Sequence, residues 1–224
     1  MGGLKPLNFH QILNKKYKMS RSAYIETPSS VGIVTLSEAK VHLRVDQSED
    51  DAYITSLILA SQEVIENYCN IKVMQVTVVQ YCDTWRESQE LLMSPVTNSG
   101  KATITHVKYY NDAPTPVLIT WPTSNYIFDK YSSPLRLALA DIDTLDAYPD
   151  IATQINAIEI KYNVGYSSSA DVPLSLKQAC LILVGQWYEN RQVDVVGRSV
   201  GKISMSAKYL MNRYKIQTLG LNWC

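Results

Sequence analysis

Thr35-Leu-Ser-Glu-Ala-Lys-Val-His-Leu-Arg-Val-Asp46, running on to Asp50-Asp51-Ala-Tyr-Ile54, decides how the first part of this chain is read. Thr35 is an N-cap residue and Glu38 follows three positions later, which is the capping-box spacing. A short helix to about Arg44 is predicted, with Ala39, Val41 and Leu43 as its apolar contacts. Asp46-Gln-Ser-Glu interrupts it. Asp50 and Asp51 then fall in the first turn of a second helix, where the dipole favours carboxylates. Ile54, Leu57, Ile58, Ser61, Ile65 and Tyr68 recur at steps of three and four, so one face is built for burial. At 1.5 Å per residue this rod is roughly 30 Å long.

A second helical cassette lies more than a hundred residues downstream, over 173–191. Pro173 suits a first helical position, where its missing N–H costs nothing. Leu176, Ala179, Cys180, Leu183, Val184 and Trp187 share one side, with Leu181 and Ile182 on others. A helix apolar nearly all round its middle belongs at the centre of a bundle. Gly185 costs about 1 kcal/mol against alanine in a helix, so it points to close packing there. The cassette closes on Trp187-Tyr-Glu-Asn-Arg191.

Between the cassettes the period changes from helical to alternating. Residues 73–81, 102–110, 117–121, 126–131 and 157–162 are β-branched or aromatic, and turn formers such as Asn98-Ser-Gly100 and Pro114-Thr-Pro116 separate them. The fold class expected is α+β: a small helical bundle core of three to four helices, an inserted antiparallel β lobe of five to seven short strands, and extended termini. By residue, 1–30 is a basic, unpatterned N-terminal arm, 31–72 and 165–198 form the helical core, and 73–164 is the inserted lobe. The remainder, 199–224, holds a short basic helix with Met205, Tyr209 and Leu210 on one stripe.

The 224 residues are 46% apolar, enough for a real core and against wholesale disorder. Net charge is zero, which gives no global pull toward nucleic acid. Both ends are nevertheless basic: residues before Ser30 carry five Lys or Arg against Glu26 alone, and none of the residues after Asp194 is Asp or Glu. A nucleic-acid-binding module using these termini is therefore the alternative reading. Cys69, Cys82, Cys180 and Cys224 show no zinc spacing. No signal-peptide core is seen, and the longest apolar run is too short for a bilayer, so folding in a reducing cytosol is expected, with no membrane partner.

Candidate chemical motifs fail on their own mechanics. Gly197-Arg-Ser-Val-Gly201-Lys202 has three residues where a phosphate loop needs four, and Ile203 stands where magnesium needs a hydroxyl. Ser-x-x-Lys occurs at Ser37 and Ser199 without the other acyl-enzyme motifs. Asp141, Asp143, Asp146 and Asp150 imitate a calcium loop, yet its sixth position is Asp146 instead of Gly and its twelfth is Ala152 instead of Glu. His10, His42 and His106 have no partner pattern. No catalytic, cofactor-binding or metal-binding residues are assigned, and no enzyme is expected.

T-L-S-E-A-K-V-H-L-R-V-D, the D-D-x-x-I start of the next helix, E-x-I-E-x-Y, N-V-G-Y, V-P-x-x-L-x-x-A and W-Y-E-N-R occur in order from Val31 to Arg191. Together they resemble the head–tail connector family of tailed bacteriophages, also called adaptor or head-completion proteins. The resemblance implies a non-enzymatic virion neck protein, a ring of about a dozen copies beneath the portal that extends the DNA channel. Its partners would be the portal, copies of itself, a further neck or tail protein, and packaged DNA passing without sequence-specific binding. It would reside in the virion neck after assembly in the host cytoplasm. Portal docking would fall to Lys202, Met205, Lys208, Tyr209, Leu210, Arg213 and Tyr214. Thr35, Glu38, Leu43, Ile54, Ile58, Ile65, Tyr68, Trp187 and Arg191 would hold the core.

Overall fold

The structure is a computed structural model that describes residues 21–93, 102–140, 148–191, 194–195, 198–199 and 203–216. Its elements run β1 (Arg21–Thr27), α1 (Leu36–Leu43), α2 (Asp51–Cys69), β2 (Val76–Cys82), β3 (Ser88–Glu90), β4 (Thr103–Tyr110) and β5 (Leu118–Trp121). They continue through β6 (Tyr126–Asp129), β7 (Arg136–Leu139), β8 (Ile158–Val164), α3 (Leu174–Glu189), β9 (Asp194–Val195), β10 (Arg198–Ser199) and α4 (Met205–Asn212). The fold is α+β, with four α-helices and antiparallel sheets among the described residues.

Both Thr35–Glu38 cap bonds form: the Glu38 N–H donates to Thr35 Oγ1 at 3.2 Å and the Thr35 N–H to Glu38 Oε2 at 2.7 Å. Arg44 ends α1 and Asn70 ends α2, each in the left-handed conformation. The buried face of α1 differs from the expectation in one residue. Ala39 is buried with Leu36 and Leu43 packed beside it, while Val41 is 77% exposed. Positions 36, 39 and 43 follow the helical step, and Val41 lies off that stripe. Ile54, Ile58 and Ile65 of α2 meet Leu176, Ala179, Cys180, Leu183 and Val184 of α3 in one apolar cluster. His42 of α1 lies against Gly185, where an added Cβ would sit 3.4 Å from its Nε2.

The larger sheet has the order β1-β2-β8-β4-β5, antiparallel throughout, and a smaller one has the order β3-β7-β6. Val76, Val78 and Cys82 of β2 and Ile158, Ile160, Tyr162 and Val164 of β8 turn one face inward, joined by Val107, Trp121 and Leu137. Their alternation is the strand period at work. Gln80 is fully buried in this face because its amide is fully employed. Its Oε1 accepts from the Leu92 N–H at 2.8 Å and its Nε2 donates to the Glu90 carbonyl at 3.0 Å.

Two expectations about the strands change. Residues 21–27, read as part of an unpatterned arm, form edge strand β1 on β2. Ala23 and Ile25 alternate with exposed Ser22, Tyr24 and Glu26, a two-residue apolar signal too short to stand out among basic neighbours. The short strands β3 and β7 were not anticipated either. Three or four residues give alternation little room to show.

The chain crosses from helices to sheet at 73–76 and returns at 164–166, and the two crossings lie side by side. The Tyr166 N–H donates to the Val73 carbonyl at 2.8 Å, and the Gln75 N–H donates to the Tyr166 carbonyl at 2.9 Å. Gly165 makes this approach possible: its φ is +98°, and a Cβ there would sit 2.4 Å from the Met74 carbonyl oxygen. Buried Glu66 secures the same crossing from the helical side. It accepts from Lys72 Nζ at 2.9 Å, the Val73 N–H at 3.0 Å and Gln62 Nε2 at 3.2 Å. Gly165→Ala is expected to cost at least about 2 kcal/mol through backbone strain alone, with the clash added. Urea denaturation of the purified variant measures it; an unchanged midpoint would contradict the crossing described.

Candidate docking interface

Helix α4 carries two opposed faces. Ala207 and Met211, four residues apart, are fully buried, with Ile203, Leu210, Tyr214 and Ile216 packed against the same helical cluster. Met205 and Tyr209, also four apart, are 80% and 82% exposed, and Arg213 continues their line into solvent. Two exposed large apolar side chains on so short a helix need an explanation that core packing does not give.

The inner face is locked to the end of α2. Tyr68 Oη donates to Asn212 Oδ1 at 2.7 Å, and the Cys69 thiol donates to the Met211 carbonyl at 3.5 Å. The Ile216 N–H donates to the Cys69 carbonyl at 2.9 Å, satisfying one of the acceptors a helix C-terminus leaves open. Lys215 Nζ stands 4.8 Å over the Tyr68 ring.

Within the segment 199–224, residues 203–216 thus pack on the helical core. The outward line also differs from the expected stripe. Leu210 and Tyr214 turn toward the core, Lys208 is half-buried, and Met205, Tyr209 and Arg213 remain accessible. The inner stripe of Ile203, Ala207, Leu210, Met211 and Tyr214 follows helical steps, but the small Ala207 at its centre hid it. Lys202 lies outside the described residues. The glycine-containing stretch after Asp194 includes a short antiparallel pair, β9 with β10.

A polar clasp ties the α1–α2 junction to the end of α3. The Tyr188 hydroxyl and Arg191 Nη2 both donate to Asp50 Oδ2, the latter at 2.9 Å. The Arg191 guanidinium stands 4.7 Å over the Tyr53 ring and 5.0 Å over that of Tyr188. Tyr53 Oη donates to the Trp187 carbonyl at 3.5 Å. Arg191 thus works at the surface, and Trp187 is half-buried against the core. Asp50, read from sequence as a first-turn carboxylate, and Tyr188, quoted only within W-Y-E-N-R, share this clasp; two Tyr rings facing one Arg leave no sequence pattern.

Two further ion pairs join the helices. Lys177 Nζ meets Glu38 Oε1 at 2.8 Å, linking α3 to the cap of α1, and Lys40 Nζ meets Asp51 Oδ1 at 2.7 Å. The hydrogen bond from Tyr188 and the charge of Arg191 hold the Asp50 carboxyl below its ordinary range. Burial opposes the charge on Glu38, but Lys177 and Thr35 outweigh it and lower its pKa.

Buried thiols and one histidine among the described residues are held by their surroundings. Burial pushes the Cys69 and Cys180 thiols up to about 11, so both stay protonated near neutrality. His106 Nε2 lies 2.8 Å from Glu159 Oε1. Among the described residues, no group of three or more His, Cys, Asp or Glu could hold a metal ion. No described helix is long and apolar enough to cross a membrane. Asp141, Asp143 and Asp146 of the calcium-loop imitation lie outside the described residues.

Residues 32–206 match the model of the head completion protein family. The fold is similar to a chain in the neck of an empty gene transfer agent particle computed with C6 symmetry. That similarity has a TM-score of 0.65 and 20% identity over 88% of this chain and 98% of that one. A chain in the virion of a native gene transfer agent particle gives a TM-score of 0.66 at 19% identity, covering 88% and 97%. One in the neck of a native particle computed with C12 symmetry gives 0.59 at 21%, covering 88% and 98%. No curated protein matches in sequence.

Met211→Ala should cost about 2–5 kcal/mol in chemical denaturation, as for other buried side chains. Met205→Ser and Tyr209→Ser should each stay within about 0.5 kcal/mol of the parent. Equal losses at inner and outer positions would contradict the two-faced helix. The clasp adds a pH dependence. A carboxylate with a lowered folded pKa stabilises above its unfolded value, and that contribution is lost as pH falls through the folded one. Melting temperature should therefore drop as pH falls below about 5 through the lowered range of the folded carboxyl, and less steeply in Arg191→Gln. An identical slope in the variant would rule out the Asp50 contribution.

Proposed function

The chain belongs to the head completion protein family, and we propose that it is a structural, non-catalytic subunit of a virion neck. In this reading, copies form a ring between portal and tail, extend the channel for packaged DNA, and present a seat for a further neck or tail protein. Assembly takes place in the host cytoplasm and the finished ring resides at the portal vertex. DNA passes without sequence-specific contact, consistent with the neutral charge of the whole chain.

The observation that carries this reading is the outer face of α4. Met205 and Tyr209 stand exposed on a helix whose other face is anchored in the core. An anchored helix presents its apolar side chains without a large ordering cost on binding, which favours affinity. Tyrosine with a neighbouring arginine is the composition of energetic hot spots. We assign this line, Met205, Tyr209 and Arg213, to the portal, with Lys208 at its margin. The Gly- and ion-pair-secured helical core supplies rigidity.

Support also comes from the matched chains, which belong to necks of particles treated with C6 and C12 symmetry. The test combines the chain with its portal and inspects the products by negative-stain microscopy and pull-down. The parent should give rings seated on portal. The Met205→Ser/Tyr209→Ser double variant should remain folded and lose portal affinity at least about 30-fold, the scale of a 2 kcal/mol hot spot. A parent that stays monomeric and never binds portal would refute the proposal; full binding by the double variant would refute the assigned face.

A further inference from the structure

The two edges of the five-stranded sheet are protected very differently. Edge strand β1 carries a register shift between Ile25 and Thr27, an Arg21–Glu90 ion pair at 3.3 Å and a Glu26–Lys161 ion pair. Bulges and charges of this kind are how proteins discourage strand addition. Edge strand β5 has none of them. Leu118-Ile-Thr-Trp121 is uncharged, pairs with β4 in unbroken register, and every residue from 114 to 120 is exposed. Val117, Leu118 and Ile119 are 56%, 38% and 37% accessible. An uncharged, β-branched, open edge is a template for another strand.

The register of the sheet says which strand of a second copy fits. Strands β1, β8 and β5 run in one direction, and β2 and β4 in the other. Following the rungs across, Ser22 pairs with Tyr81, Tyr81 with Glu159, Glu159 with Lys108, and Lys108 with Thr120. Arg21 stands level with Ile119 in the same way, and Ala23 with Trp121. The two edges therefore share polarity and rung level. A rotation between copies that takes up the twist of the sheet brings the β1 edge of one beside the β5 edge of the next. That contact is heterologous, the type that closes into rings.

We propose that β5 of each copy pairs in parallel with β1 of its neighbour, so that the sheet continues from subunit to subunit around the ring. This rests on the ring proposed above. The β1 register shift lies beyond Ile25, so Arg21–Ala23, level with Ile119–Trp121, keep a regular edge for this one partner, while the Arg21 and Glu26 charges discourage indiscriminate pairing. The occupant is a second copy of this chain, because the matching edge, direction and rung height all lie within it.

The test uses the full chain with Cys224→Ser, which leaves Cys69, Cys82 and Cys180, all buried. Ser22→Cys and Thr120→Cys are introduced together and singly, and assemblies formed with portal are oxidised. In-register parallel neighbours place the two Cα atoms about 5 Å apart, within disulfide reach. The double variant should give a ladder of covalent multimers up to the closed ring, and neither single variant should crosslink. Ile119→Lys, at an exposed site, should keep its melting temperature and lose the ring. Rings that form without crosslinking in the double variant would overturn the pairing while leaving the neck reading intact. Dimers from Thr120→Cys alone would replace it with a twofold β5–β5 contact. Failure of the parent to form rings would remove both proposals.

Discussion

The Tyr166 backbone, bonded on one side to Val73 and on the other to Gln75, is the constraint from which the rest of this molecule follows. It brings the outgoing and returning chain together where helices give way to sheet. An L side chain at position 165 would collide with the Met74 carbonyl, so glycine is the residue that allows the approach. Because the crossings are adjacent, α2 and α3, separated by more than a hundred residues, meet along their apolar faces. The buried Glu66, holding Lys72 and the Val73 N–H, carries the same restraint back into α2.

Around that junction the helical core is closed by polar devices at its surface. The Thr35–Glu38 cap reaches α3 through Lys177, and Asp50 collects Tyr188 and Arg191 from the far end of α3. Each is modest where water is near. Their value lies in fixing the angle between helices whose contact is otherwise apolar and non-directional. Helix α4 completes the core by covering the end of α2, and its remaining side stays exposed. A single eight-residue element so serves stability on one face and proposed attachment on the other.

The helices were legible from sequence because their signals are long or stereotyped: the cap at Thr35 and Glu38, the period from Ile54 to Tyr68, the apolar run after Pro173. The main strands were legible from alternation. What escaped was whatever depends on partners remote in sequence. Strand β1 exists because β2 offers it an edge, and Ala23 and Ile25 alone are too weak a pattern. The inward turn of Leu210 and Tyr214 is decided by the end of α2, which the local sequence of α4 does not contain. The Asp50 clasp likewise unites residues 138 and 141 positions apart. Of the residues assigned to docking, Met205, Tyr209 and Arg213 are accessible because they fall on the stripe the core leaves unused.

The narrow junction also has a mechanical meaning. A pull that draws the sheet away from the helices runs along two neighbouring chains held to each other by backbone bonds, so the tension is shared instead of falling on one thread. A twist about the same axis disturbs those few bonds far less. The geometry therefore resists stretching, and a load on the sheet reaches the helices without either chain bearing it alone.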